Sequence, residues 1–346
     1  MKSFLLSVDY ELFFGSNSGT VENCMIRPVR RLIKELEICN CKMTVFWDIM
    51  HFYRLKELEE SVKDLYYDRL IIQKQIETLL SKGHDVQMLI NPHWLDARWE
   101  NNKWHFSYQR YSIHRLWNDD NPNDIYTIFG CITKCKNLME EVCQSVDKDY
   151  KVRVIRTGGG RVEPFSQLKS ALIANKIKID SSYLCGFKTK SPFPVDFTKG
   201  PKCELFYRFE DSIVKGDENG SFWEIPKGVI KVPLFYRIIF YLQGVFSKET
   251  YSRYGDGTPL KFSYKETWGH QWFNLRTRNY RLSLEYVTPY RWKYFFKKAV
   301  DKSQLVINSK HIGPHTIRFI RAMLKNKEVK FFSFKERIEE LSIYEN

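Results

Sequence analysis

Short apolar runs alternate with amphipathic stretches through the first half of the chain. Residues 2–8 and 43–47 are short runs rich in apolar residues, which predict strands, and residues 28–39 between them repeat apolar positions at helical spacing. A second helical stretch over 66–82 leads into a third strand over 86–90. This alternation predicts a parallel sheet or barrel wrapped by helices.

In the later part of the chain, strand-like and helical stretches alternate at both ends but not in between. Residues 95–120 show no periodicity and are predicted to form a long loop, and residues 187–298, rich in Lys and aromatic residues, are predicted to be an insertion. The pattern therefore predicts one α/β domain over residues 1–346. The remaining predicted elements are helix 123–146, strand 152–156, helix 167–175, strand 177–180, strand 305–307, helix 316–324, strand 329–333 and helix 334–341.

The composition predicts a large hydrophobic core and gives the chain a strong positive charge. The chain is 43% hydrophobic and 16% aromatic, and its 55 Lys and Arg outnumber its 41 Asp and Glu, which gives a formal charge of +14. Such a charge favours an anionic partner: a phosphate-bearing glycan, a nucleic acid or an acidic membrane surface. No helix-turn-helix, zinc-finger or RNP motif is present, so nucleic-acid binding is not expected. The basic residues of 276–281 and 290–298 are expected to face an anionic membrane or a lipid-linked glycan.

Neither a secretory signal nor a membrane span is expected. The first apolar run is interrupted at Asp9, and the most apolar segment, 232–246, is interrupted by Arg237 and Gln243. Eight cysteines lie scattered along the chain, which favours reduced thiols. We therefore expect a cytoplasmic protein that can lie at the inner face of the membrane.

Polar clusters fall at the ends of several predicted strands. They are Asp9-Tyr10-Glu11, His93, Arg156 and the group 308–315. Barrels of this class build their pockets from the carboxyl ends of strands. A carboxylate pair at positions i and i+2 can divide into a metal ligand and a general base, whereas the alternative is that the two carboxylates only flank a turn.

The order of these clusters resembles the polysaccharide deacetylase family, whose members contain a NodB homology domain, over nearly the whole chain. The resemblance implies a distorted (β/α) barrel that removes N- or O-acetyl groups from sugars with a bound divalent metal, usually zinc. Ser7-Val8-Asp9-Tyr10-Glu11 is similar to the first family motif. This similarity implies that Asp9 is the catalytic base and Glu11 a metal ligand.

The second motif is the most specific part of the resemblance. Residues 83–94 are similar to GHDVQLHIHPHW of the branch from surface-polysaccharide gene clusters, which implies that His93 is a metal ligand. Trp94 and the loop aromatics Trp99, Trp104, Tyr108 and Tyr111 are expected to stack on a glycan, and the alternative is that these rings form a core beneath a lid. The family's other ligand histidine falls at Leu89, and leucine cannot coordinate a metal. The candidates to substitute for it are His84, Asn91 and His51.

The third and fourth motifs resemble loops that follow later strands. Arg156 would orient the catalytic aspartate, and Gly158, Gly159 and Gly160 would shape the sugar pocket, although three glycines also suit a tight turn without any ligand. Asp180 in Asp180-Ser181-Ser182-Tyr183 resembles the aspartate of the fourth motif.

The fifth family motif supplies a histidine that acts as general acid, and here its position is open. His311 is the favoured candidate, with Asn308 and His315 as alternatives. The resemblance thus predicts a metal-dependent carbohydrate deacetylase of surface-polysaccharide biosynthesis. Catalytic zinc normally keeps three protein ligands, but the matched positions offer two. The alternative function is therefore a non-catalytic, glycan-binding protein of the same fold.

Overall fold

The computed structural model describes residues 1–189, 194–202, 205–247, 252–260 and 277–344. The strands are β1 Lys2–Tyr10, β2 Thr44–Asp48, β3 Asp85–Ile90, β4 Arg98–Glu100, β5 Lys103–His105, β6 Val154–Thr157, β7 Ile179–Asp180, β8 Lys188–Thr189, β9 Val195–Asp196, β10 Tyr207–Phe209, β11 Phe222–Glu224, β12 Val229–Val232, β13 Arg278–Arg281, β14 Gln304–Asn308 and β15 Val329–Phe332. The α-helices are α1 Arg27–Ile38, α2 Ile49–Leu58, α3 Lys63–Ser81, α4 Ile128–Cys143, α5 Ser166–Ala174, α6 Leu234–Phe246, α7 Pro289–Lys298, α8 Pro314–Lys325 and α9 Phe334–Glu340.

The main sheet is curled and largely parallel. Its strands lie in the order β10-β11-β7-β6-β3-β2-β1-β14, and β15 pairs with the first half of β1. The pairings from β14 across to β11 are parallel, and only β10 runs antiparallel to its neighbour. Helices connect the successive parallel strands β1, β2, β3, β6 and β7, and α8 connects β14 with β15. The predicted α/β class with a barrel-like sheet is therefore confirmed.

Alternation along the strands divides the apolar residues between two cores. In β1, Leu6 and Val8 join the larger cluster, which includes residues of the surrounding helices. Leu5 points to the opposite face and joins a smaller cluster with Phe46 and Leu89, which also includes residues of α9. Period-two alternation in a strand produces this division, because successive side chains point to opposite faces of the sheet.

Isolated bridges join the two ends of the curled sheet. Lys227 forms parallel bridges with Gln304 of β14 and with Leu184, which lies just after β7. The backbone N–H of Lys227 donates to the carbonyl of Tyr183 at 2.9 Å, and the N–H of Gly228 donates to the carbonyl of Gln304 at 3.0 Å. We call this narrow closure, from Leu184 through Lys227 to Gln304, the seam.

Several elements differ from the predicted pattern. Helix α2 was not predicted, because its residues follow a strand without a clear apolar period. The expected loop over 95–120 contains the β4–β5 hairpin, in which Trp99 pairs with Trp104. Within the predicted insertion 187–298, β10 and β11 belong to the main sheet itself.

Two further observations concern cysteines and membrane helices. The cysteines that the structure describes are free thiols, as the sequence predicted. In the described part of the chain, no helix has both the length and the apolar character required to cross a membrane.

Candidate functional site

Loops at the carboxyl ends of β1, β3, β6 and β14 surround a cavity of about 280 Å³. Because parallel strands bring their carboxyl ends to one edge of the sheet, the predicted strand-end residues meet there. The lining includes five of the predicted residues: Glu11, His93, Gly158, Gly159 and His311. It also includes Lys310, Asn91 and the aromatic rings of Phe13, Phe14, Tyr108 and Tyr111.

Glu11 has both carboxylate oxygens bonded to donors of the protein itself. Lys310 Nζ donates to Glu11 Oε1 at 2.8 Å and to the carbonyl of Leu12 at 2.8 Å. Asn91 Nδ2 donates to the other oxygen, Glu11 Oε2, at 3.1 Å. The pair is largely shielded from water, since the Lys310 and Glu11 side chains are 9% and 13% exposed.

This donor set does not fit a divalent metal. An ammonium group has no lone pair to offer a cation, and here it lies on the carboxylate that the resemblance assigns to the metal. Leu89, at the position of the missing histidine, packs in the smaller apolar core. Among the residues that the structure describes, no three His, Cys, Asp or Glu side chains form a metal-binding group.

Asp48 extends the polar network beneath the cavity. One of its oxygens, Oδ2, accepts from Asn91 Nδ2 at 2.9 Å and from Trp94 Nε1 at 2.7 Å. Burial raises the pKa of Asp48 well above its usual range, and the nearby carboxylate of Glu11 raises it further. The sequence reasoning missed this residue, although its position at the end of a buried strand, β2, would have identified it.

Asp9 and Arg156 form a buried ion pair beside this network. Arg156 Nη1 donates to Asp9 Oδ1 at 2.5 Å, and its Nε donates to the carbonyl of Ser181 at 2.9 Å. Burial alone would raise the pKa of Asp9, but the charges of Arg156, Lys227 and Arg281 outweigh it and lower the pKa. Asp9 is therefore an ionised carboxylate held by a guanidinium, which makes it a weak base.

Two histidines of the cavity are neutral at neutral pH. The ring of His93 lies perpendicular to Phe14 with centroids 4.1 Å apart, and burial, with a smaller effect of Lys310, lowers its pKa to about 3. His311 Nδ1 lies 2.5 Å from the hydroxyl of Tyr286, and burial lowers the pKa of His311 to about 4. Neither ring is a ready acid at neutral pH.

Five of the ten predicted site residues do not line this cavity. Asp9 and Arg156 form the ion pair beside the network, and Gly160 lines a neighbouring cavity. Trp94 and Asp180 lie elsewhere, so the expected positions of these two are corrected. Trp94 is fully buried and stacks on His51 with centroids 4.3 Å apart, because the indole packs beneath the β4–β5 hairpin against Trp104. It therefore presents no face to a glycan. Asp180 accepts from the backbone and hydroxyl of Ser182, each at 2.8 Å, and does not line the cavity.

The structure also distinguishes the alternative candidates for the general acid and for the missing metal ligand. Asn308 donates to Glu285 at 3.2 Å, and His315 bonds to the carbonyl of Val287 at 3.0 Å, so among the three fifth-motif candidates only His311 lines the cavity. His84 lies at the start of β3, where its Nδ1 accepts from the backbone of Met43 at 3.3 Å, at the other end of the barrel from Glu11.

A second, larger cavity of about 630 Å³ adjoins the first and shares Tyr111 and Arg161 with it. Gly160 lines this neighbour rather than the first cavity, together with Arg115 and Lys188. The two cavities are therefore neighbours that share part of their walls. Aromatic faces beside polar and cationic groups are typical of clefts that bind sugars.

Comparisons with known proteins identify no family. No protein-family model matches the chain, and no curated protein matches it. Among solved structures, the 4-alpha-glucanotransferase from Thermococcus litoralis aligns with 98% of this chain at 11% sequence identity and a TM-score of 0.46. This chain covers 40% of that enzyme's length, and a similarity of this degree carries no conclusion about activity.

Proposed function

We propose that this chain is a carbohydrate-binding barrel of the polysaccharide deacetylase type in which Lys310 replaces the catalytic metal. The motif resemblance and the strand-end cavity support the barrel type. The observation that carries the proposal is the contact between Lys310 and Glu11, because a fixed ammonium supplies the positive charge at the position implied for a metal. Glycan binding is then the function that the cleft retains.

The cavity offers the groups that sugar recognition requires. An ammonium has three N–H donors, and Lys310 directs two of them to Glu11 and to the carbonyl of Leu12. Lys310 also lines the cavity, so a ligand oxygen such as a hydroxyl or an acetyl carbonyl can approach its ammonium. Tyr108 contributes aromatic surface to the cavity wall, and aromatic faces stack on the apolar faces of sugar rings.

The same geometry disfavours hydrolysis. Asp9 is bound to Arg156, so its lowered pKa makes it a poor acceptor of a proton from water. His311 has a pKa of about 4 and is neutral, so it is a poor donor to a leaving group. Binding without turnover therefore agrees better with these side chains.

A metal-dependent deacetylase of surface-polysaccharide biosynthesis is the second candidate. The cavity brings Glu11, His93 and His311 together, and Arg156 holds Asp9, which is the arrangement that the motifs imply. For that activity, Lys310 would first have to leave Glu11.

Metal content and glycan binding of the purified protein distinguish the two functions. We expect substoichiometric zinc, measurable affinity for acetylated oligosaccharides by calorimetry, and no acetate release with added zinc. Lys310→Met should abolish glycan binding, whereas Lys148→Met, an exposed change near the opposite end of the barrel, should not alter it. One zinc per chain that is lost in His93→Ala, with acetate release, would establish the deacetylase. If the protein binds none of the acetylated oligosaccharides tested, the proposed binding function is wrong.

A further inference from the structure

Helix α6 exposes its apolar side instead of burying it. Of its thirteen residues, only Phe240 and Gly244 are buried. Phe246 is 84% exposed and Phe235 is 68% exposed, and other exposed apolar residues of the helix are Ile238, Tyr241, Leu242 and Val245. A surface helix of a water-soluble domain ordinarily turns such residues toward the core, so an exposed apolar face of this size marks an interaction site.

The helix is nevertheless attached firmly to the barrel. Phe240 packs against Tyr294 of α7 with ring centroids 5.9 Å apart, and Tyr236 packs against the same ring at 4.2 Å. Thr288, at the start of α7, donates its hydroxyl proton to Gln243 Oε1 at 2.7 Å. The exposed apolar face is therefore a fixed feature of the protein surface.

Charge identifies the kind of partner. Neither α6 nor α7 contains an Asp or Glu, whereas Arg237 and four basic residues of α7, namely Arg291, Lys293, Lys297 and Lys298, lie on these two helices. The three lysines are exposed. An apolar, aromatic face beside cationic side chains without carboxylates is complementary to an anionic lipid surface.

We propose that α6, together with the lysines of α7, docks this protein on an anionic lipid bilayer. At about 1.5 Å per residue the helix is roughly 20 Å long, shorter than the ~30 Å hydrocarbon core, so it lies in the interface plane. Phe235 and Phe246, near the two ends of the helix, enter the acyl boundary, and the lysines contact lipid phosphates. This inference goes beyond glycan binding and does not depend on the cavity.

Sedimentation with vesicles tests the proposal on the full chain. We expect binding to phosphatidylcholine vesicles that contain phosphatidylglycerol and much weaker binding to pure phosphatidylcholine. Phe246→Ser should weaken binding roughly tenfold, which corresponds to about 1.4 kcal/mol of lost apolar insertion. The double variant Lys293→Glu, Lys297→Glu should lower the affinity for these vesicles by at least about fivefold for each reversed lysine. This loss should be larger at low salt than at high salt.

Matched controls separate docking from general damage to the protein. Ile173→Ser removes an apolar side chain of α5 that is 57% exposed, and Lys148→Glu reverses an exposed charge elsewhere, so neither should change vesicle binding. Equal binding by wild type and Phe246→Ser would overturn the proposal. So would a wild-type dimer, detected by analytical ultracentrifugation, that dissociates in Phe246→Ser, since the face would then join two copies of the chain. Lys310→Met, which changes the cavity, should keep its vesicle binding.

Discussion

Replacing Lys310 by methionine tests the feature on which the candidate site depends. Methionine keeps much of the apolar stem but removes the ammonium, and with it the contacts to Glu11 and to the carbonyl of Leu12, both 2.8 Å long. Breaking a buried ion pair on one side costs about 3–5 kcal/mol, because the remaining charge loses its partner. Asn91 still donates to Glu11, so we expect a loss of about 3 kcal/mol in the free energy of unfolding.

Urea denaturation at pH 7, with linear extrapolation, measures this loss. Adding Glu11→Gln to Lys310→Met should restore about 2 kcal/mol, since it removes the unpaired charge. Lys82→Met is the matched control: its partner is Glu37, both side chains are 39% exposed, and the cost should stay below about 1 kcal/mol. The reasoning is refuted if Lys310→Met costs no more than Lys82→Met, or if the double variant is no more stable than Lys310→Met alone.

Three further changes test other parts of the network. Trp94→Phe removes the donor to Asp48 and should cost about 1–3 kcal/mol in urea denaturation; an unchanged stability would show that the 2.7 Å contact is unimportant. Asp9→Asn leaves Arg156 buried without its partner and should cost about 3 kcal/mol at pH 7. Because the pKa of Asp9 is lowered in the folded state, that cost should shrink only below about pH 4, and a cost that is constant down to pH 3 would contradict the ion pair. Burial lowers the pKa of His51 from 6.5 to about 3, so this histidine is protonated in the unfolded state before it is protonated in the folded state as the pH falls. The free energy of unfolding should therefore fall by about 1 kcal/mol between pH 6 and 5 because of His51. This loss should be absent in His51→Phe. An unchanged pH dependence in His51→Phe would mean that the ring is not protected from protonation.

The parallel sheet and the strand-end chemistry were accessible from the sequence because both follow local rules. The apolar runs of β1, β2 and β3 predicted the parallel sheet, and the carboxyl-end rule placed Glu11 and His93 in one cavity. The strand predictions rest on patterns that lie within single elements. His311 was found in a different way, through the family resemblance.

The missed features depend on tertiary packing. Trp94 follows a strand end as closely as His93 does, but only the β4–β5 hairpin determines that its indole is covered. Lys310 was not predicted to be a site residue, since nothing along the chain shows that its ammonium reaches Glu11. The role of Lys227 at the seam could not be predicted either, because Lys227 joins segments that are far apart in the sequence.

The seam has a consequence for how the barrel moves. Elsewhere in the parallel sheet several residues of adjacent strands pair in register, whereas the closure at Lys227 rests on single-residue bridges. Backbone amides exchange first where local opening requires the fewest hydrogen bonds to break together. The amides of Lys227 and Gly228 should therefore exchange with deuterium before those of β1 and β2. Such opening would loosen the side of the barrel next to Asp9, whose pKa is lowered in part by the charge of Lys227.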